Sequence, residues 1–397
     1  TPGCRRCWAS SCCWATARRA DRSLRCAGAG ARYVPVAQVV ADDPRWAGSE
    51  PRLVELVRDE ILAAADGRIT FARFMERALT EPELGYYATS ELRPTRAGDF
   101  LTAPELHPFF GRCLGRVVSA AWDASSSSPF RVLEYGGGRG TLRADATDGL
   151  GFHVSWTRAD LPDRSDDDGT RADLIIGNEY LDALPVHRVV QLGELREAWV
   201  GWEGGWFSEV LAEPSTPDLA THLAADGVEL RDGQRAEICL DAPRWLKTAA
   251  ARLVPGGVIL VVDYGHDAAE LYGPRRLAGS LLTYRGHEVG DDPFAAVGRS
   301  DLTAHVDITA LERAAEAAGL VLIGSTTQGP FLARLGLGDM LAELGRRRDT
   351  KPAAYVEARA SVARLLDPRQ LGGFRVLAWA RSADDGSVPV LPGFGDT

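Results

Sequence analysis

The sequence predicts an open, doubly wound α/β sheet, preceded by a helical region and interrupted by an antiparallel insertion. Short, nearly continuous apolar runs recur between stretches of helical spacing, as parallel strands flanked by helices require. One of these runs, FRVLEY at 130–135, ends on four glycines among the next five residues, where a strand gives way to a helix. Between two other runs, residues 188–211 alternate apolar and polar side chains around Gly-containing turns, the pattern of an antiparallel hairpin or meander.

The elements follow in order. Residues 1–30 have no apolar period and hold Cys4, Cys7, Cys12, Cys13 and Cys26, against only Cys113 and Cys239 in the remainder. This stretch reads as a mis-translated or unstructured leader. An Arg-rich transit peptide and a zinc or redox cluster on Cys4-x-x-Cys7 are the other readings. PRLVELVRDEILAAA (51–65) places apolar residues at helical spacing behind Pro51. A second amphipathic helix starts behind Thr70, a good N-cap, and PELHPFFGRCLGRVVSAAW reads as a third. Strands are expected in RADLIIGNEYLDALP (171–185, with a polar C-terminal end), GVILVVDYG (257–265), GLVLIGSTTQ (319–328) and FRVLAWAR (374–381). The expected organisation is a leader over 1–49, a helical region over 50–128, and an α/β domain over 129–382. The α/β domain carries an insertion near 188–250, and a flexible tail covers 383–397.

Composition narrows the function. The apolar and charged fractions, 45% and 25%, are those of an ordinary globular protein, and no apolar run is long enough to span a membrane. A net charge of −10 disfavours nonspecific binding to nucleic-acid phosphates. Glycines at a strand-to-helix turn permit positive φ and let a ligand approach the backbone, and the helix beyond offers unpaired N–H groups. In open α/β sheets ligands sit beyond the carboxyl ends of the strands. The spacing Glu134-x-Gly136-x-Gly138-x-Gly140 differs from the G-x-G-x-x-G of dinucleotide folds, and no P-loop lysine follows.

That glycine pattern resembles motif I of class I S-adenosylmethionine (SAM) methyltransferases. The words GYY (85–87), GDFLTAPEL (98–106), NEYLDALPVHR (178–188), VVDYG (261–265) and DLTAHVDITAL (301–311) follow in this order. Together they are similar to the MidA family, over roughly residues 50 to 382. The family includes a mitochondrial complex I assembly factor that is a protein arginine methyltransferase. The resemblance implies a Rossmann-like methyltransferase sheet with SAM as cofactor. It also implies an arginine-containing protein substrate, a respiratory-complex subunit or its counterpart. On this reading Gly136, Gly138 and Gly140 line the methionine end of SAM, and Glu134 fixes the turn through backbone N–H groups. Asp160 and Asn178 are further cofactor contacts, and Asp99, Thr102 and Glu105 close over the cofactor. Glu179 and Asp182 would receive the guanidinium, since bidentate Arg–carboxylate pairing is strong.

Plainer readings of the same residues stay open. Asn178 could cap a following helix, with Glu179 and Asp182 favoured by its dipole. Thr102 and Glu105 have capping-box spacing. His287, His305 and Asp307 lack helical zinc-ligand spacing, so no metal is expected, and His305 reads as a structural or substrate-facing group. Trp199, Trp202 and Trp206 read as packing of the insertion.

The chain also departs from the family. Asn178 follows Gly140 by only 38 positions, room for one βαβ unit of roughly 30 residues, where the class I order needs two. FHVSWTR (152–158), followed by Asp160, resembles the third strand. The second strand, whose terminal acid binds the ribose hydroxyls, has no counterpart, and DRSDDDG (163–169) reads as a loop. Two functions therefore stand: an active methyltransferase, or a catalytically weakened binding or assembly factor on the same fold. A dehydrogenase is disfavoured by the glycine spacing. Near-absence of lysine, with only Lys247 and Lys351, points to a GC-rich bacterial coding sequence. A bacterial cytoplasmic location is expected, with the mitochondrial matrix as the alternative; a homodimer is left open.

Overall fold

The computed structural model describes residues 46, 48–89, 102–125, 127–161, 165–285 and 288–395. The cysteine cluster, Asp99, His287 and most of the leader expected over 1–49 fall outside these residues; the end of that leader does not, since Trp46 and Ser49 are buried. Among the described residues sixteen strands follow one another: β1 (Arg68–Thr70), β2 (Phe130–Tyr135), β3 (Val154–Ala159), β4 (Ala172–Asn178), β5 (His187–Leu192), β6 (Glu194–Glu203), β7 (Trp206–Ala212) and β8 (Arg235–Ile238). After them come β9 (Leu253–Asp263), β10 (Gly265–His266), β11 (Leu282–Arg285), β12 (Glu288–Gly290), β13 (Asp301–Thr303), β14 (Val306–Asp307), β15 (Val321–Thr327) and β16 (Arg375–Ala380).

The main sheet has the order β15-β16-β9-β4-β2-β3. Its β3, β2, β4 and β9 are parallel, and β16 runs antiparallel to both β9 and β15. Successive side chains of a strand point to opposite faces, and both faces here are covered. Leu174, Ile176, Val258, Leu260 and Val262 pack under the helices Phe109–Ser125, Gln328–Arg334 and Pro352–Leu366. Ile175, Ile259 and Val261 pack on the other side against Asp241–Arg252 and Ile308–Ala317. This two-sided burial explains why the runs carry no polar alternation. Each such side chain contributes roughly 1.5–3 kcal/mol by leaving water.

A second layer joins the N-terminal region to the insertion. The helix Pro51–Ala63 buries Leu53, Val54, Val57 and Ile61 along one stripe. The helix Phe71–Thr80 is capped by the Thr70 hydroxyl, which accepts from Arg73 N at 3.1 Å. Between them β1 pairs antiparallel with β6, so the N-terminal region is not purely helical. Its core is continuous with that of the insertion: Trp46, Phe71 and Phe74 pack with Trp206 and Phe207. Trp202 joins its edge, and Trp199 lies under the Arg68 guanidinium, 4.9 Å from ring centroid to Cζ.

Four expectations change. The third helix is two, Ala103–Leu106 and Phe109–Ser125, because Pro108 biases His107 to extended backbone. The insertion's own sheet ends at β8; the helix Asp241–Arg252 belongs to the main layers, burying Trp245 and Leu246 there. Residues 383–395 of the expected tail are not free: Leu391 is buried, and Phe394 lies 5.1 Å from Phe331. Finally, β3 pairs directly with the glycine strand β2, in the place the missing second strand would take. The shortening removes the outermost strand of this sheet, and the position beside β2 stays filled.

Candidate active site

The carboxyl ends of β2, β3, β4 and β9 open into one cleft of about 620 Å³, within the roughly 300–1,000 Å³ usual for small-molecule sites. At the end of β2, Glu134 is buried, and its Oε2 accepts from Trp156 Nε1 at 2.8 Å. Burial raises this carboxyl to about 7, opposed by the Trp156 hydrogen bond and the charge of Arg158. Glu134 therefore does not fix the turn through backbone N–H groups. That task falls to Asp160, whose Oδ2 accepts from Gly138 N at 2.8 Å, and to Arg158, whose Nη1 donates to Gly138 O at 2.7 Å. Asp160 Oδ1 in turn accepts from Leu161 N.

The glycines have separate causes. Gly136 has φ 68°, and a Cβ there would meet Tyr180 Cδ2 at 2.8 Å. Gly138 has φ 47°, and its missing Cβ would face only Gly136 O, at 3.9 Å, on the cleft side. Gly140 does not line the cleft. With φ 73° it is the residue before the helix Thr141–Thr147 and donates to Gly137 O.

The end of β4 carries the acids. Glu179 has φ 49°, strained for a non-glycine residue. Its N–H donates to Val262 O at 2.8 Å, and its Oε1 accepts from Ala103 N at 2.8 Å and Asn178 Nδ2 at 3.2 Å. No helix follows Asn178, so capping there does not account for Asn178, Glu179 or Asp182. Nor does the capping box form at Thr102, whose side chain makes no cap bond; Glu179 takes the first N–H of that short helix instead. Burial raises Glu179 to about 8, helped by the charge of Asp182 and opposed by the Ala103 N–H. Burial also raises Asp182 to about 6. Below them Asp263, fully buried, accepts from Tyr180 N, Leu181 N and Tyr264 N and is raised well above the carboxylate range, chiefly by burial.

Thr102, Asn178, Glu179, Asp182 and Asp160 thus share one cleft with Glu134, Gly136 and Gly138. Tyr86, Tyr87, Tyr264, Tyr284, Asp301 and Thr303 line the same cleft. Tyr87 donates to Asp301 Oδ1 at 2.8 Å, across 214 positions. Most of these lie inside the words GYY, VVDYG and DLTAHVD, but sequence reasoning gave them no role, and Tyr284 carries no signal at all. His305 stands apart from the cleft lining, its ring stacked on His266 at 5.2 Å.

Comparison with known proteins gives this cleft its context. A family model described as an S-adenosyl-L-methionine-dependent methyltransferase matches residues 146–326. A crystal structure from Burkholderia thailandensis, bound to S-adenosyl-homocysteine, is 30% identical. It covers 90% of this chain and 96% of its own, with a TM-score of 0.75. The chain belongs to the MidA-like family of SAM-dependent methyltransferases. Among family relatives, "Protein arginine methyltransferase NDUFAF7, mitochondrial" of Danio rerio is 28% identical over 384 residues, 80% of this chain and 86% of its own. The human protein of that name is 27% identical over 369 residues, 77% and 78% of the two chains. The cradle fits the family's cofactor. The Gly138 backbone faces open space in the cleft, the helix Thr141–Thr147 starts behind it, and Asp160 ends the neighbouring strand.

Proposed function

We propose that this methyltransferase acts on an arginine guanidinium of a protein substrate. One observation carries the reading. Asn178 Oδ1, Glu179 Oε2 and Asp182 Oδ1 are buried oxygens without a hydrogen-bond partner among the described residues, and all three side chains line the cleft. Buried acceptors left unpaired are uncommon and costly. A guanidinium brings five N–H donors in a fixed fork and one positive charge, matching such a set. The names of the relatives point the same way.

When bound, SAM supplies the methyl group and its positively charged sulfur. The chain's own work is to orient and to manage charge. Gly136, Gly138 and Asp160 would hold the cofactor edge, and Asn178 and Thr102 would flank it. Glu179 and Asp182 would hold the guanidinium, ionised by its charge. The nitrogen that takes the methyl releases one proton, and Glu179 is the carboxylate at hand with raised proton affinity. Positioning on rigid strand ends supplies most of the acceleration. A second reading, a weakened binding or assembly factor, draws on the lost outer strand beside β3.

Labelled methyl transfer to arginine- and lysine-containing peptides at saturating SAM tests the proposal. Label on arginine alone is expected; label on lysine or on a hydroxyl, or none, contradicts it.

A further inference from the structure

Away from the cleft, the geometry points to a divalent metal site formed by His222, Asp226 and Asp307, where one ion bridges the insertion to the methyltransferase layers. His222 lies on the helix Asp218–Ala225, and Asp226 follows that helix directly. Asp307 is the N-cap of the helix Ile308–Ala317. His222 Nε2 is 3.1 Å from Asp307 Oδ2 and 3.3 Å from Asp226 Oδ2, and the three side chains are 6%, 8% and 0% exposed in that order. Ligands about 2.0–2.2 Å from a tetrahedral ion lie about 3.4 Å apart, which these two separations approach.

The outer contacts agree. Asp307 Oδ1 is occupied by Ala310 N at 3.0 Å and Asp226 Oδ1 by Arg313 Nε at 2.8 Å, so each carboxylate turns its other oxygen inward. Such pinning by neighbours is what ligating carboxylates need. A single Nε2 proton serves only one of the two inward oxygens, and Asp226 Oδ2 is left buried without a donor among the described residues. An ion satisfies all three ligand atoms together. A side cavity of about 290 Å³, lined by His222, Thr221 and Arg313, gives access and room for a water as fourth ligand. One imidazole and two carboxylates suit Zn²⁺ and its spectroscopic substitute Co²⁺.

Co²⁺ titration of the full chain, read by visible absorption, tests this. The expected result is one equivalent bound with nitrogen and oxygen bands, displaced by Zn²⁺. These bands vanish in both His222→Ala and Asp226→Asn. Co²⁺ on cysteines is told apart by thiolate charge-transfer bands, unchanged in both variants. Should His222→Ala fail to fold, Asp226→Asn, nearly the same in volume, carries the comparison. The expected melting temperature rises by several degrees with Zn²⁺ in the parent and not in Asp226→Asn. Only thiolate-bearing bands in the parent, no binding at millimolar Co²⁺, or bands identical in all three proteins overturns the site.

Discussion

Glu179 is held in a strained backbone conformation, with one oxygen on the Ala103 amide and the other without a partner among the described residues. Strain of this kind costs about 1–3 kcal/mol and persists where the surroundings impose it. If its charge receives the guanidinium, Glu179→Gln and Asp182→Asn each lose a charge-assisted bond worth roughly 1.5–3 kcal/mol. Turnover on an arginine peptide at saturating SAM is then expected to fall about ten- to a hundredfold; parent-like rates in both variants would exclude the assignment. Stability should move differently. Burial raises Glu179 to about 8, above the ordinary 4.5 of a free glutamate, so its protonated form is the one the fold favours. Its contribution is complete below about 4.5 and is lost as pH rises through about 8. Melting curves of the cofactor-free parent should therefore show stability falling across that window, and Glu179→Gln should flatten the fall. Gly138→Val places a branched side chain at φ 47° on the cleft side. SAM binding should disappear while circular dichroism keeps the parent's shape; unchanged affinity would reduce the loop to a turn.

The two threonine caps separate at the scale of elements. Thr70 accepts from Arg73 N, whereas Thr102 makes no such bond because Glu179 serves its helix. Thr70→Ala should cost about 1 kcal/mol by denaturant melting, and Thr102→Ala close to nothing; equal losses would contradict this division. The same contrast shows what the sequence could reveal. The Thr70 cap was legible because a hydroxyl and its amide are three residues apart. The Glu179–Ala103 bond spans 76 positions, and no local pattern announces it. The long strands were legible because two-sided burial leaves unbroken apolar runs. Strands of two to four residues, such as β10 to β14, are too short for a period, and Tyr284 on β11 was missed with them. Gly136 and Gly138 of the glycine loop do line the cleft, as the strand-to-helix spacing led one to expect. Gly140 lies off the cleft, and Asp160 rather than Glu134 holds the loop's backbone, because spacing does not say which atom faces inward.

Across the whole molecule, the N-terminal region and the insertion share one core, and β1 pairs antiparallel with β6. The sheet itself ends at β3, one strand short of the expected order, yet β3 brings Asp160 beside the glycine loop. The sequence exposed the deletion through a spacing of 38 residues. It could not show that the remaining strand would pair directly with β2, since pairing depends on which edge is left open. The central claim is that this shortened sheet still forms a working cofactor site, and not a vestige of one. Calorimetric titration of the full chain with S-adenosyl-homocysteine tests it most directly, with Asp160→Asn alongside. Binding of one equivalent at micromolar concentration, weakened at least tenfold in the variant, is the predicted result. No binding to the parent at millimolar ligand would contradict it.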